Sequence, residues 1–405
     1  MILRARVVVT TAGAPIENGA VAISGRRIVD VGRFDEIRTR NSGEVVDLGE
    51  QALLPGLINA HCHLDYTALR GKIPRPKSFT DWIRCINAEK AKLSPDDYVS
   101  SINDGFAEAQ RFGTTTIANL TAFPDLVTRI SAPITTWWFA ELIDVRGKAD
   151  VDLAADALRT NEHWGLAPHA PFTASADLYR DCERIAPLLT THLAESREEM
   201  SMFREASGPL YEFLKGIGRE MSDCGGRTPL KTFLTMRDVS TRSANAQGRP
   251  SLEMTERWIV AHLNELAETD FALLENLTGK FSIVHCPRSH AYFEHSAFQF
   301  EQLAALGINI CLGTDSLASN DDLSLFAEMR AFRDQFPRVS AERILTMVTS
   351  NAARALGQSD TIGRIAAGFT ADLVAVPYAG SSDVLAEIIA AERPSWMMLN
   401  GQAVG

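Results

Sequence analysis

His61 and His63 stand at i and i+2 in the stretch LINAHCHLD. On a β-strand two such side chains leave the same face, so both imidazoles can reach one metal ion. A lone His-x-His has a plainer explanation in hydrogen-bonded core histidines. Here two more residues add to it: His192 closes the apolar run LLTTH, and Asp315 closes INICLGTD. Each stands where a strand gives way to its loop. Three imidazoles and a carboxylate suit Zn²⁺, or Fe²⁺, and leave a coordination position for water. Such an ion lowers the pKa of its water from ~15.7 towards ~7, which supplies hydroxide at neutral pH.

The elements that must carry these residues alternate. Short apolar strands such as TTTIANL, ITTWWFAEL, WGLAPHA, LLTTHLAE, WIVAHLN, FSIVHCP and INICLGTDS are separated by helical stretches such as YVSSINDGFAEAQRFG and SADLYRDCERIA. Strand–helix alternation over about 300 residues implies a parallel sheet, and at this length a TIM (β/α)8 barrel. Strand ends at the C-terminal face are where such barrels build active sites. The barrel is expected over 55–361. The β-rich segments before and after it, 1–54 and 362–405, are expected to join as a small β-sandwich-like domain. No GxGxxG or GxxxxGK[ST] follows a strand, which lowers a nucleotide-fold alternative. The polar stretch RDVSTRSANAQGRPS, 237–251, reads either as a surface loop or as a flap over the barrel mouth.

The chain has 405 residues, 45% of them hydrophobic, and a net charge of −11. That acidic balance argues against nucleic acid or an anionic membrane surface as partner. Six scattered cysteines without a CxxC pair read as reduced thiols. Arg4 and Arg6 interrupt any apolar leader at the start, and no apolar run approaches the ~18 residues of a membrane span. A cytoplasmic protein acting on a small molecule is the expectation.

Over nearly its whole length the chain resembles the amidohydrolase superfamily. The motifs that carry the resemblance are PGLINAHCH (55–63), THLAE (191–195), VAHLNEL (260–266), VHCPRSH (284–290), LGTDS (312–316) and the closing GFTADLVAV (368–376). The resemblance implies that His61, His63, His192 and Asp315 bind the metal. Glu195 matches the Glu of the family's HxxE motif; as a residue it reads equally as a helix-start acid favoured by the dipole. The match implies that it takes a proton from the metal's water and gives it to a ring nitrogen, while Asp315 passes the remaining proton to the leaving amine. His262 is either a core histidine or, as the family implies, a residue beside the metal that polarises water and substrate. His169 matches a substrate-contacting position. His285 is as readily structural as functional, and alternation turns Cys62 away from the metal.

Many relatives bridge two metals through an acid or modified lysine on the fourth strand. The matching WGLAPHAPFTAS has no Lys, Asp or Glu, so the chain resembles the mononuclear branch, one zinc or iron per chain. That branch holds deaminases of amino-substituted N-heterocycles (cyclic amidines), alongside triazine hydrolases that expel chloride or an amine. Arg70, Gly71 and Trp82 match the RG…W stretch of its nucleoside deaminases, which implies a 6-aminopurine nucleoside. Arg288, in HCPRSH, is either a surface arginine in a salt bridge or a guanidinium fork for a substrate carboxylate. With Tyr292 and Phe293 beside it, the second reading favours an aminodeoxyfutalosine-like substrate over S-adenosylhomocysteine. The resemblance also implies a homo-oligomer, dimer or tetramer.

Overall fold

The computed structural model describes residues 1–237, 252–253, 256–380 and 383–404. Eight parallel strands succeed one another: β1 (Leu57–His63), β2 (Thr114–Thr121), β3 (Thr135–Leu142), β4 (Trp164–Pro168), β5 (Leu189–Leu193), β6 (Trp258–His262), β7 (Ser282–His285) and β8 (Asn309–Leu312). Each pairs with the next in order. Just past β8, Asp315 and Ser316 pair in parallel with Cys62 and His63 of β1, which closes the ring. Closure depends on Gly313: a Cβ there would lie 2.7 Å from the His61 carbonyl, the same carbonyl that accepts the Thr314 N–H at 3.1 Å. The strands from Leu57 to Leu312, closed by the Asp315–Ser316 pairing, therefore form a parallel barrel.

Alternation sorts the side chains into two layers. Ile58, Ala60, Leu120, Phe139, Ile259 and Val284 fill the barrel interior. Trp138, Ala140, Leu142, Leu166, Val260 and Ile283 face the surrounding helices. The register of β1 against β2 slips between Asn59 and Cys62. This bulge matters because it changes the parity of the strand. Ile58 and Ala60 point inward below it, yet His61 and His63 point inward above it, and Cys62 turns to the outer core, as alternation requires.

Serine and threonine side chains start many of the helices. Ser94, Ser175, Ser196, Thr228 and Ser324 each accept a backbone N–H from the first turn, satisfying donors that would otherwise be orphaned. The terminal segments form a separate sheet, in which Ile2–Val8 lies between Ile16–Ser24 and Gln51–Pro55, and Leu373–Pro377 joins antiparallel to Gln51–Pro55. All six cysteines are free. Among the described residues, no helix is long and apolar enough to cross a membrane. The segment 237–251, read as loop or flap, lies outside the described residues from 238 onward.

Candidate metal centre and active-site cavity

The ends of β1, β5 and β6 and the residues just past β8 bring the histidines and Asp315 together at the C-terminal mouth. Nε2 of His63 and Nε2 of His192 are 3.1 Å apart. Asp315 Oδ1 lies 3.8 Å from Nε2 of both His61 and His63. Donor atoms of His61, His63 and His192 all fall within 4.8 Å of one another, as do those of His61, His262 and Asp315. His61 is fully buried, and neither of its ring nitrogens has a hydrogen-bond partner among the described residues. A buried polar atom left unpaired is costly. Burial, then the neighbouring imidazoles, hold His61 and His63 far below the usual histidine range. Both rings are thus neutral, with lone pairs to donate. The donor set fits a divalent cation.

The partners of these residues fix their aim. His192 donates from Nδ1 to the His169 carbonyl (2.9 Å), which leaves Nε2 for the ion. Asp315 Oδ2 accepts the hydroxyls of Ser289 (2.7 Å) and Ser319 (3.2 Å), so that Oδ1 faces the histidines. The backbone is left-handed at Ala194, His262, Leu263 and Asp315, with φ between 50° and 73°. Such conformations cost about 1–3 kcal/mol each for residues other than glycine, and here they gather around one point of the molecule.

Glu195 follows β5, one residue before the Ser196 cap of the helix Arg197–Glu205. Its Oε1 is 3.8 Å from His262 Nε2. Burial, and then the negative charges of Asp315 and Glu199, push its carboxyl well above the usual range. A carboxyl raised in this way takes up a proton more readily than a free one, which suits a group that accepts a proton and passes it on. Glu199 clamps this segment: its carboxylate accepts the backbone N–H groups of Ala194 (3.1 Å) and Glu195 (2.7 Å). Asn264 donates to the Glu195 carbonyl at 3.1 Å.

Above the centre lies a cavity of about 630 Å³, lined by His63, His169, His192, Glu195, His262 and Asp315. Its apolar wall comes from Phe79, Trp82, Ile86, Phe172, Phe213 and Leu214. Trp82 and His169 both line this cavity. His169 is held through Nδ1 by Thr173 Oγ1 at 2.6 Å. Arg288 and Arg70 are corrections, because neither lines the cavity. The Arg288 guanidinium is committed to Asp322 (2.5 Å) and Asp321 (3.1 Å). Arg70 pairs with Glu108. Phe293 packs against Trp82 and Phe79 from behind, with ring centres 5.1 and 5.5 Å away, and neither it nor Tyr292 lines the cavity. His285 stacks on Phe298 at 4.1 Å in the core behind β7, a packing role. The cations that do line the cavity are Lys90, Arg146 and Lys148. Glu141, Ser289 and Ser319 escaped the sequence reading. Glu141 had a readable signal, since it continues the inward series Trp137, Phe139 along β3.

Residues 52–404 match the amidohydrolase family. The chain belongs to that family. A shorter stretch, 19–41, matches a bacterial imidazolonepropionase-like composite domain. Among curated relatives, a 5-methylthioadenosine/S-adenosylhomocysteine deaminase of Nitratidesulfovibrio vulgaris is 29% identical, over 93% of this chain and 83% of the relative. An aminodeoxyfutalosine deaminase of Deinococcus radiodurans is 26% identical, over 88% of this chain and 85% of the relative. Among solved structures, a zinc-bound adenosine deaminase from Xanthomonas campestris superposes with a TM-score of 0.81 at 25% identity, covering 99% of this chain and 92% of that one. A triazine hydrolase variant superposes with a TM-score of 0.79 at 20% identity, covering 99% and 94%, a likeness of fold.

Proposed function

We propose that the protein is a hydrolytic deaminase of a 6-aminopurine nucleoside, converting a ring amidine to its oxo form with release of ammonia. The observation that carries this reading is the convergence of three buried imidazoles, Asp315 and a buried Glu195 carboxyl at the floor of one cavity. His61, His63, His192 and Asp315 would hold one divalent ion, zinc by its donor set. Bound there, the ion supplies Lewis acidity and makes its water acidic enough to ionise near neutral pH. Glu195 takes a proton from the attacking water and delivers it to the ring nitrogen beside the reacting carbon. Asp315, its Oδ2 held by two serine hydroxyls, passes the second proton to the departing amine. His262, 3.8 Å from Glu195, polarises the water and the substrate. His169 presents its Nε2 edge to the substrate ring, and the wall of Phe79, Trp82 and Phe172 covers the ring and any apolar extension.

The relatives' names support a nucleoside whose 5′ position is extended. A carboxylate on that extension would meet Lys90, Arg146 and Lys148, the cations that line this cavity. The test is a set of adenosine, 5′-methylthioadenosine, S-adenosylhomocysteine and aminodeoxyfutalosine in ¹⁸O-water with zinc-loaded protein. Ammonia release with one ¹⁸O in the 6-oxo product is expected. Absence of ammonia from every one of them overturns the proposal.

A further inference from the structure

Glu141 is a buried acid that the steps above do not use. It ends the inward series of β3, its side chain is 6% exposed, and it lines the catalytic cavity. Its Oε1 is buried and has no hydrogen-bond partner among the described residues. Nδ1 of His63 is 3.9 Å away, beyond hydrogen-bonding distance. One carboxylate oxygen lies within 4.8 Å of a ring nitrogen of both His169 and His192. An unpaired carboxylate oxygen so well buried costs free energy unless something that enters the cavity pairs with it.

Position decides what that partner is. A group this near the ligand nitrogens touches only the reacting edge of a bound heterocycle, not a distant tail. A ring amidine presents two nitrogens at that edge, the ring nitrogen and the exocyclic amine. Glu195 stands past the end of β5, beside His262 of β6. Glu141 stands at the end of β3, with His169 and His192 between the two acids. Each flank of the reacting carbon therefore has its own carboxyl group. An amine offers N–H donors to a carboxylate. Chloride or a thioether offers none, and its electron density is repelled.

Resting on the deaminase reading above, we propose that Glu141 is the specificity residue for the leaving group: its carboxylate accepts a hydrogen bond from the exocyclic amine and so selects ammonia over halide as the group expelled. Sites built to bond a substrate N–H reject analogues that lack it far more strongly than apolar pockets reject a change of size.

The test compares zinc-loaded wild type, Glu141→Gln and Glu141→Asp on adenosine, scored for ammonia, and on 6-chloropurine riboside, scored for chloride. Zinc content and equilibrium binding of purine riboside, which has no 6-substituent, are measured alongside. Glu141→Gln should keep its zinc and its purine riboside affinity. It should lose about 10- to 100-fold in kcat/KM for adenosine, while the chloro compound changes less than about threefold; Glu141→Asp should fall between. An equal fall for both substrates, an unchanged adenosine rate, or loss of zinc in both variants overturns the proposal, the last by assigning Glu141 to support of the ion. Wild type that releases chloride but no ammonia refutes the deaminase reading along with it. Wild type that deaminates while Glu141→Gln keeps the same preference refutes this inference alone.

Discussion

Replacing Ser289 by alanine should weaken metal binding without disturbing the barrel. Ser289 and Ser319 are each about 1% exposed, so no bulk water replaces a lost hydroxyl. Ser289 donates to Asp315 Oδ2 at 2.7 Å, Ser319 reaches the same oxygen at 3.2 Å, and the two hydroxyls lie 2.9 Å apart. A hydrogen bond to a charged group contributes about 1.5–3 kcal/mol. At about 1.4 kcal/mol per decade, that is roughly 10- to 150-fold in affinity. Outer partners of metal ligands cost about 10–100-fold when removed, which agrees. In Ser289→Ala the Ser319 hydroxyl still donates to Oδ2, so the single variant should fall near the lower end, about tenfold. The double variant Ser289→Ala/Ser319→Ala should lose more than either single, because nothing then holds the carboxylate. The assay is competition for zinc against a chromophoric chelator, with thermal unfolding of the metal-free protein as a control. Zinc affinity within threefold of wild type in the double variant would refute the assigned role of the two hydroxyls.

Glu195→Gln should keep its zinc and lose about 10²–10⁴-fold in kcat; near-normal turnover would make Glu195 structural. Arg288→Ala should leave substrate preference within about twofold, because its guanidinium is spent on Asp321 and Asp322, and should lower unfolding free energy by about 1–3 kcal/mol. A selective loss of carboxylate-bearing substrates in that variant would restore the discarded reading. Burial pushes the Glu328 carboxyl from 4.5 up to about 8, against the opposing pull of Arg288 and Asn320. A raised folded-state pKa gives a contribution that is full below about 4.5 and is lost as pH rises through about 8. Glu328→Gln should therefore flatten the fall of stability between pH 5.5 and 8.5, a slope of at most about 1.4 kcal/mol per pH unit. Parallel urea-unfolding profiles for the two proteins would contradict this.

What could be read in advance was set by short-range geometry. Two histidines at i and i+2 share a face whatever the fold, and an apolar run ending in His or Asp marks a strand end, so His61, His63, His192 and Asp315 were visible in the sequence. The β1 bulge was not. It depends on the register against β2, and that pairing spans more than fifty residues. For Arg288 the sequence left a salt bridge and a substrate fork both open, and could not choose between them because its partners, Asp321 and Asp322, lie in a later loop. The apolar wall draws on Phe79–Lys90 and Pro209–Gly216, helices whose approach is a matter of packing rather than periodicity. Glu141 could have been found by following alternation along TTWWFAEL to its last inward position.

The central claim is tested most directly by stripping the protein of metal and scoring ammonia release from 6-aminopurine nucleosides as zinc is titrated back. The account predicts no ammonia from the stripped protein and a rise that reaches its plateau at one equivalent of zinc per chain. A plateau only at two equivalents, or ammonia release from metal-free protein, would contradict it.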